Sequence, residues 1–158
     1  MFKKYPLYII LTLLFLSCEK EDSVTVEDTD MTTPILIEIN KLRVTGCKCG
    51  DENMPSVPLL VSNSILTQTA INYSHDMYDR NYFSHISPEG TSPIQRAAIL
   101  GYPGTYVGEV IARNYETPEE VVKGWKNSTE HCKAMMSSTY TEMGAGKSGT
   151  IWVANLGK

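Results

Sequence analysis

The sequence has no long apolar run, no concentration of basic residues and little histidine. Its longest nearly unbroken apolar stretch is the ten residues from Leu7 to Leu16. That is about half of what a helix needs to cross a bilayer. Lysine and arginine are scattered, which argues against nucleic acid as a partner. Histidine occurs three times, as His75, His85 and His131. There is no His-Glu-x-x-His helix of the kind that binds catalytic zinc, and no motif places a Ser or Cys nucleophile. There are no internal repeats.

What is present divides the chain in three. Lys3 and Lys4 precede the apolar run, which ends in Leu16-Ser-Cys18. A charged start, a short apolar core and a small residue before cysteine resemble the signal peptide and lipobox of bacterial lipoproteins. The resemblance implies a signal over residues 1–17, cleavage before Cys18 and a lipid on its sulfur. Residues 19–33 carry six acids and one lysine, and few groups to bury, so they read as a solvated tether. Residues 34–158 carry twelve acids against eleven bases and are long enough for one domain with one core.

Three cysteines remain, Cys47, Cys49 and Cys132. In an exported chain disulfides are permitted. Cys47 and Cys49 are too near in sequence to join without strain, so one of them is expected to pair with Cys132, leaving one thiol. A zinc site made by all three is the alternative. Cys132 and His131 are helix neighbours and do not face each other, which makes them a poor thiolate–imidazole pair.

Along the domain, Thr33-Pro34 reads as a cap and first helical position, Ile35, Ile39 and Leu42 as a buried stripe, and Gly46 as the stop. Cys47 to Pro58 is loop by composition. A second helix from about Ser64 to Arg80 buries Leu66, Ala70, Tyr73 and Met77, with His75 off that stripe. It ends near Asn81-Tyr-Phe-Ser-His85, where Tyr82 and Phe83 are expected to anchor a turn carrying the histidine. On local grounds His85 reads as a loop histidine that caps the helix. Pro93 to Leu100 forms a short helix, and Tyr106 to Arg113 a strand with Glu109 in its middle. Thr117-Pro-Glu-Glu120 is a capping box that opens a helix buried through Val121, Val122 and Trp125. A short helix carries His131 to Met136, and residues 142–156 make a hairpin turning at Lys147-Ser-Gly. Helices first and a hairpin late suggest an α+β fold, helices on an antiparallel sheet.

His85 in its Asn-Tyr-Phe-Ser-His setting, Gly108-Glu109, Glu120 in Pro-Glu-Glu-Val-Val-Lys-Gly-Trp, His131, and Met143-Gly-Ala-Gly followed by Trp152-Val together resemble the CAP superfamily. That is the family of cysteine-rich secretory, antigen 5 and pathogenesis-related proteins, with short bacterial members. The resemblance runs from about Ile35 to the end. It implies a three-layer α-β-α sandwich with a central antiparallel sheet. It also implies a cleft where His85, Glu109, Glu120 and His131 meet. Two neutral imidazoles, His85 and His131, could hold a divalent ion such as zinc, with carboxylates orienting the rings. Two departures stand out: Val110 replaces the family's Asn after Gly-Glu, and Glu130 replaces the Gly before the second histidine.

Two functions are compatible with these residues. One is a binding module, lipid-anchored outside the cytoplasm at the outer membrane or cell surface, that takes a lipid- or sterol-like molecule or an envelope partner. The other is a metal-assisted hydrolase or protease with His85 and His131 as ligands and Glu109 or Glu120 as base.

Overall fold

A computed structural model of the chain describes Met1 and residues 27–158. The expected signal, Cys18 and most of the acidic stretch lie outside the described residues. The elements in order are β1 (Asp28–Asp30), α1 (Thr32–Thr45), β2 (Cys47–Cys49), β3 (Glu52–Met54), β4 (Val61–Ser62), α2 (Ser64–Asp79), α3 (Pro93–Ile99), β5 (Val107–Arg113), α4 (Pro118–Asn127), α5 (Thr129–Met135), β6 (Glu142–Ser148) and β7 (Ile151–Gly157). The main sheet runs β1–β6–β7–β5 with antiparallel pairing throughout, and β4 adds a two-residue parallel contact to β6. Among the described residues, no helix is long and apolar enough to cross a membrane.

Alternation along the strands sorts the core into two faces. On β7, Trp152, Ala154 and Leu156 join Ile35, Ile39, Val121, Trp125 and Met135, which come from α1, α4 and α5. Ile151 and Val153 point the other way, to Ala70, Tyr73 and Met77 of α2. The result is the expected α-β-α sandwich. On β6 the α2 side is nearly bare. A Cβ added at Gly144 would lie 1.9 Å from the Thr67 nitrogen, and one at Gly146 would lie 2.5 Å from that of Ile71. The Met143-Gly-Ala-Gly run therefore lets the helix backbone rest on the strand backbone, while Met143 and Ala145 fill the opposite face.

Local signals set most boundaries. Thr117 and Glu120 make the reciprocal capping box, Ser92 and Gln95 make a second, and Pro93 and Pro118 sit in first turns. Asn63 caps α2 by accepting from the nitrogens of Ile65 and Leu66. At the other end, Asn81 takes a left-handed φ of 51°, and the Tyr82 nitrogen donates to the Met77 carbonyl. This is the Schellman stop that turns the chain toward His85.

Four expectations need correction. The acidic stretch is not free tether as far as residue 33, since Asp28–Asp30, though exposed, pair with Gly146–Ser148 along the edge of β6. The first helix starts before Thr33, with the Thr32 nitrogen donating to Asp30 Oδ1, so Pro34 lies inside the first turn. Cys47 to Met54 is a small hairpin rather than loop. And the α1 stripe, in which Leu42 packs half-buried against the core, also takes in Arg43. Arg43 is fully buried and donates to the carbonyls of Pro58, Met135, Ser137 and Tyr140 at 2.6–3.2 Å.

Candidate functional site

Glu109 lies two residues before Ile111 on β5, the edge strand of the sheet, and so shares Ile111's face toward α2. Its side chain is 1% exposed. Such a carboxylate has to be paired, and it is paired twice. Oε2 accepts from Arg96 Nη2 at 2.6 Å, and Oε1 lies 2.9 Å from His85 Nδ1. The carboxylate accepts, so in the neutral ring the Nδ1 of His85 carries the hydrogen and Nε2 keeps the lone pair.

Arg96 on α3 is the residue that sequence reasoning missed. Besides Glu109 it donates through Nη1 to the carbonyls of Thr91 (2.7 Å) and His85 (3.1 Å). Its guanidinium lies 3.3 Å from the centre of the Tyr73 ring. Tyr73, expected only as a core residue of α2, donates its hydroxyl to the Ser84 carbonyl at 2.6 Å. Tyr73 and Arg96 thus hold the backbone on both sides of the His85 peptide. Tyr82 supports them, meeting Tyr73 edge-on at 6.2 Å and donating to Asp76. Phe83 does not share that role. It is exposed, under the guanidinium of Arg113 at 5.1 Å. The local reading of His85 as a helix cap is also replaced, because Asn81 ends the helix and the imidazole turns to Glu109.

His131, on α5 in the opposite helical layer, completes the group. Its ring centre is 6.3 Å from that of His85, edge to face. The site is therefore a junction at the free edge of β5, where the loop after α2 meets α5. Burial, and then the neighbouring His85, hold the His131 imidazole below its ordinary value and favour its neutral, ligating form. Two imidazoles sharing one ion at bond lengths near 2.1 Å place their ring centres about 5 Å apart. The observed spacing is about an ångström wider, and His85 is exposed enough to adjust. The donor set fits a two-nitrogen metal site.

Glu120 is not drawn into this group. Its Oε2 accepts from the backbone nitrogens of Glu116 and Thr117, and among the described residues no hydrogen bond joins it to either histidine. The capping box accounts for it. His75 is a surface residue beside Asp28. Glu130 is exposed on α5. The cysteine expectation resolves to Cys49–Cys132, with Cys47 free.

The family model of the cysteine-rich secretory protein (CAP) family matches residues 36–150. The Bacillus subtilis protein YkwD is 35% identical over 132 residues, 81% of this chain and 51% of that one. The Bacillus subtilis membrane protein YlbC is 36% identical over 89 residues, 56% of this chain and 26% of that one. The chain thus spans about half or less of the length of these relatives. Among solved structures, an extracellular protein with an SCP domain from Bacillus anthracis superposes with a TM-score of 0.67 at 26% identity, covering 80% of this chain and 41% of that one. An outer surface protein of Borrelia burgdorferi, at 22% identity, shares the fold with a TM-score of 0.70 over 85% of this chain and 98% of that one.

Proposed function

The chain belongs to the cysteine-rich secretory protein family, and from that premise we propose that it is an extracytoplasmic binding domain. Its His85–His131 cleft takes a divalent ion such as zinc and, beside it, an amphipathic ligand of the cell envelope. A lipid on Cys18 tethers the domain to the membrane, at the outer membrane or cell surface.

One observation carries the choice of binding over hydrolysis. Both oxygens of Glu109 are already engaged, one by Arg96 and one by His85. A general base must reach the proton it removes, and Glu109 is instead spent on orienting a ligand. Glu120, the other candidate base, is committed to its helix cap. At the Arg113 end of β5 a cavity of 480 Å³ is lined by Met77, Tyr78, Tyr82, Phe83 and Arg113 together with the polar Asn81, Asn114 and Thr150. Rings, amides and one cation suit a molecule with a small apolar part and an anionic head, and the volume is of small-ligand size. The Cys49–Cys132 disulfide and the extracellular Bacillus anthracis relative favour a location outside the cytoplasm.

Zinc titration by calorimetry at about pH 7.5 and about pH 5.5, on either side of the ordinary histidine value, tests the ion. Histidine ligation predicts clearly weaker binding at the lower pH, and equal affinity would overturn it. Saturable uptake of labelled fatty acid by delipidated protein tests the ligand, with Arg113→Ala expected to weaken it. Cleavage of any envelope substrate that is lost in His131→Ala would favour the hydrolase instead. Cys18→Ala is expected to release the protein from the membrane fraction.

A further inference from the structure

One residue after His131, Cys132 points about 100° around α5, away from the cleft and into a second cluster. It is bonded to Cys49, and both are fully buried. The free Cys47, two residues before Cys49 in the small hairpin, places its Sγ 3.7 Å from that of Cys132 and 3.9 Å from that of Cys49. The third sulfur therefore lies broadside to the disulfide, nearly equidistant from its two ends. Leu42, Val57, Met54 and Met136 close around the group. Two thioethers thus join three cysteine sulfurs in one apolar cluster. Among the described residues, the three cysteines are the one group of three or more ligand side chains close enough to hold a metal together, with no carboxylate or imidazole in it.

We propose that, once the Cys49–Cys132 disulfide is reduced, Cys47, Cys49 and Cys132 form a trigonal thiolate site for a soft monovalent ion, Cu(I). A metal–thiolate bond of about 2.3 Å puts three trigonal sulfurs about 4 Å apart, and Cys47 already stands at that distance from both partners. Zinc favours a fourth, tetrahedral ligand, which this donor set does not offer. All-sulfur donors in an apolar shell select soft ions. Electrons for the opening step come from an extracytoplasmic dithiol. The dithiol becomes a disulfide as Cys49 and Cys132 become thiols, and each thiol that then binds the ion gives its proton to water. The disulfide acts as the gate, because only the reduced domain offers three ligands.

The test uses the full chain in detergent with Cys18→Ser, so that the three thiols are the only ones. Protein reduced with a phosphine and freed of reductant is titrated anaerobically with Cu(I) against a competing chelator. Thiolate-to-copper ultraviolet absorption and protection of the thiols from alkylation are followed together. One ion per chain, protection of all three thiols and no binding by the oxidised form are expected. Cys47→Ser, which leaves the disulfide intact as a folding check, should weaken Cu(I) by more than the roughly 10- to 100-fold that loss of an outer-shell partner costs. Equal binding by oxidised and reduced protein, full affinity in Cys47→Ser, or preference for zinc over Cu(I) would each overturn the assignment. If the reduced chain loses its circular dichroism signal, its return on adding one equivalent of Cu(I) supports the site, and failure to return overturns it.

Discussion

Two arginines are withdrawn from water in this domain, and they are held in different ways. Arg43 is fully buried in a cage of four backbone carbonyls, with no carboxylate partner among the described residues. Arg96 is 11% exposed in its side chain and shares its charge among one carboxylate, two carbonyls and an aromatic face. Carbonyls are fixed in the backbone and have no further group to orient. Arg43 therefore acts as a brace, tying α1 to the segments on either side of it in the core. A carboxylate has a second oxygen, and Glu109 uses it on His85. Arg96 therefore acts as the first member of a relay that ends on the imidazole of His85. Burial alone does not distinguish structural charges from site charges. What the partner can pass on does.

That contrast can be broken, and the largest effect should come from the brace. Arg43→Met strips four buried carbonyls of a charged donor and is expected to cost about 3–5 kcal/mol in denaturant unfolding. Zinc affinity should be unchanged wherever the fold persists. A loss under about 1 kcal/mol would show that water replaces the guanidinium and that the cage braces little. Arg96→Met should cost less stability, about 2–3 kcal/mol, but should weaken zinc by roughly 10- to 100-fold through the freed His85 ring. Equal zinc affinity in the two variants would erase the distinction between them.

Glu120 sharpens the same point. Glu120→Ala is expected to lose about 0.5–1 kcal/mol as the capping box opens, with zinc affinity unchanged by calorimetry. A large loss of affinity would return Glu120 to the cleft.

The smallest effect is in pH, and it comes from a histidine rather than from either arginine. The folded value of His131 lies below the ordinary one, so the unfolded chain takes up a proton near 6.5 that the folded domain accepts only at lower pH. Its contribution is therefore harmless above about pH 6.5 and erodes stability as pH falls from there toward the folded value. Unfolding midpoints across that window, compared with His131→Gln, should show a shallower decline in the variant.

Legibility followed the range of the forces. The capping box at Thr117, the prolines of the first turns, the stop near Asn81 and the late hairpin were all readable, because dihedral preferences and hydrogen bonds within about four residues set them. Arg43 could have been found. It continues the spacing of Ile35 and Ile39 by one more turn, but an arginine there looks like the exposed edge of a stripe until its carbonyl cage is known. Arg96 carried no comparable signal, since a short helix with two polar residues gives no indication of which one turns inward. The motif resemblance located His85, Glu109 and His131. It also included Glu120, whose local role then proved sufficient to account for it.

By itself, the sequence determined the longer helices and strands, the family and most of the residues worth watching. The tertiary structure decided which of them meet. His85 and His131 belong to opposite helical layers and come together only because β5 is the free edge of the sheet. Cys49 rather than Cys47 reaches Cys132 because the hairpin register buries one and leaves the other half-exposed. Such choices depend on how layers stack and strands align across a hundred residues, and no short-range preference encodes them.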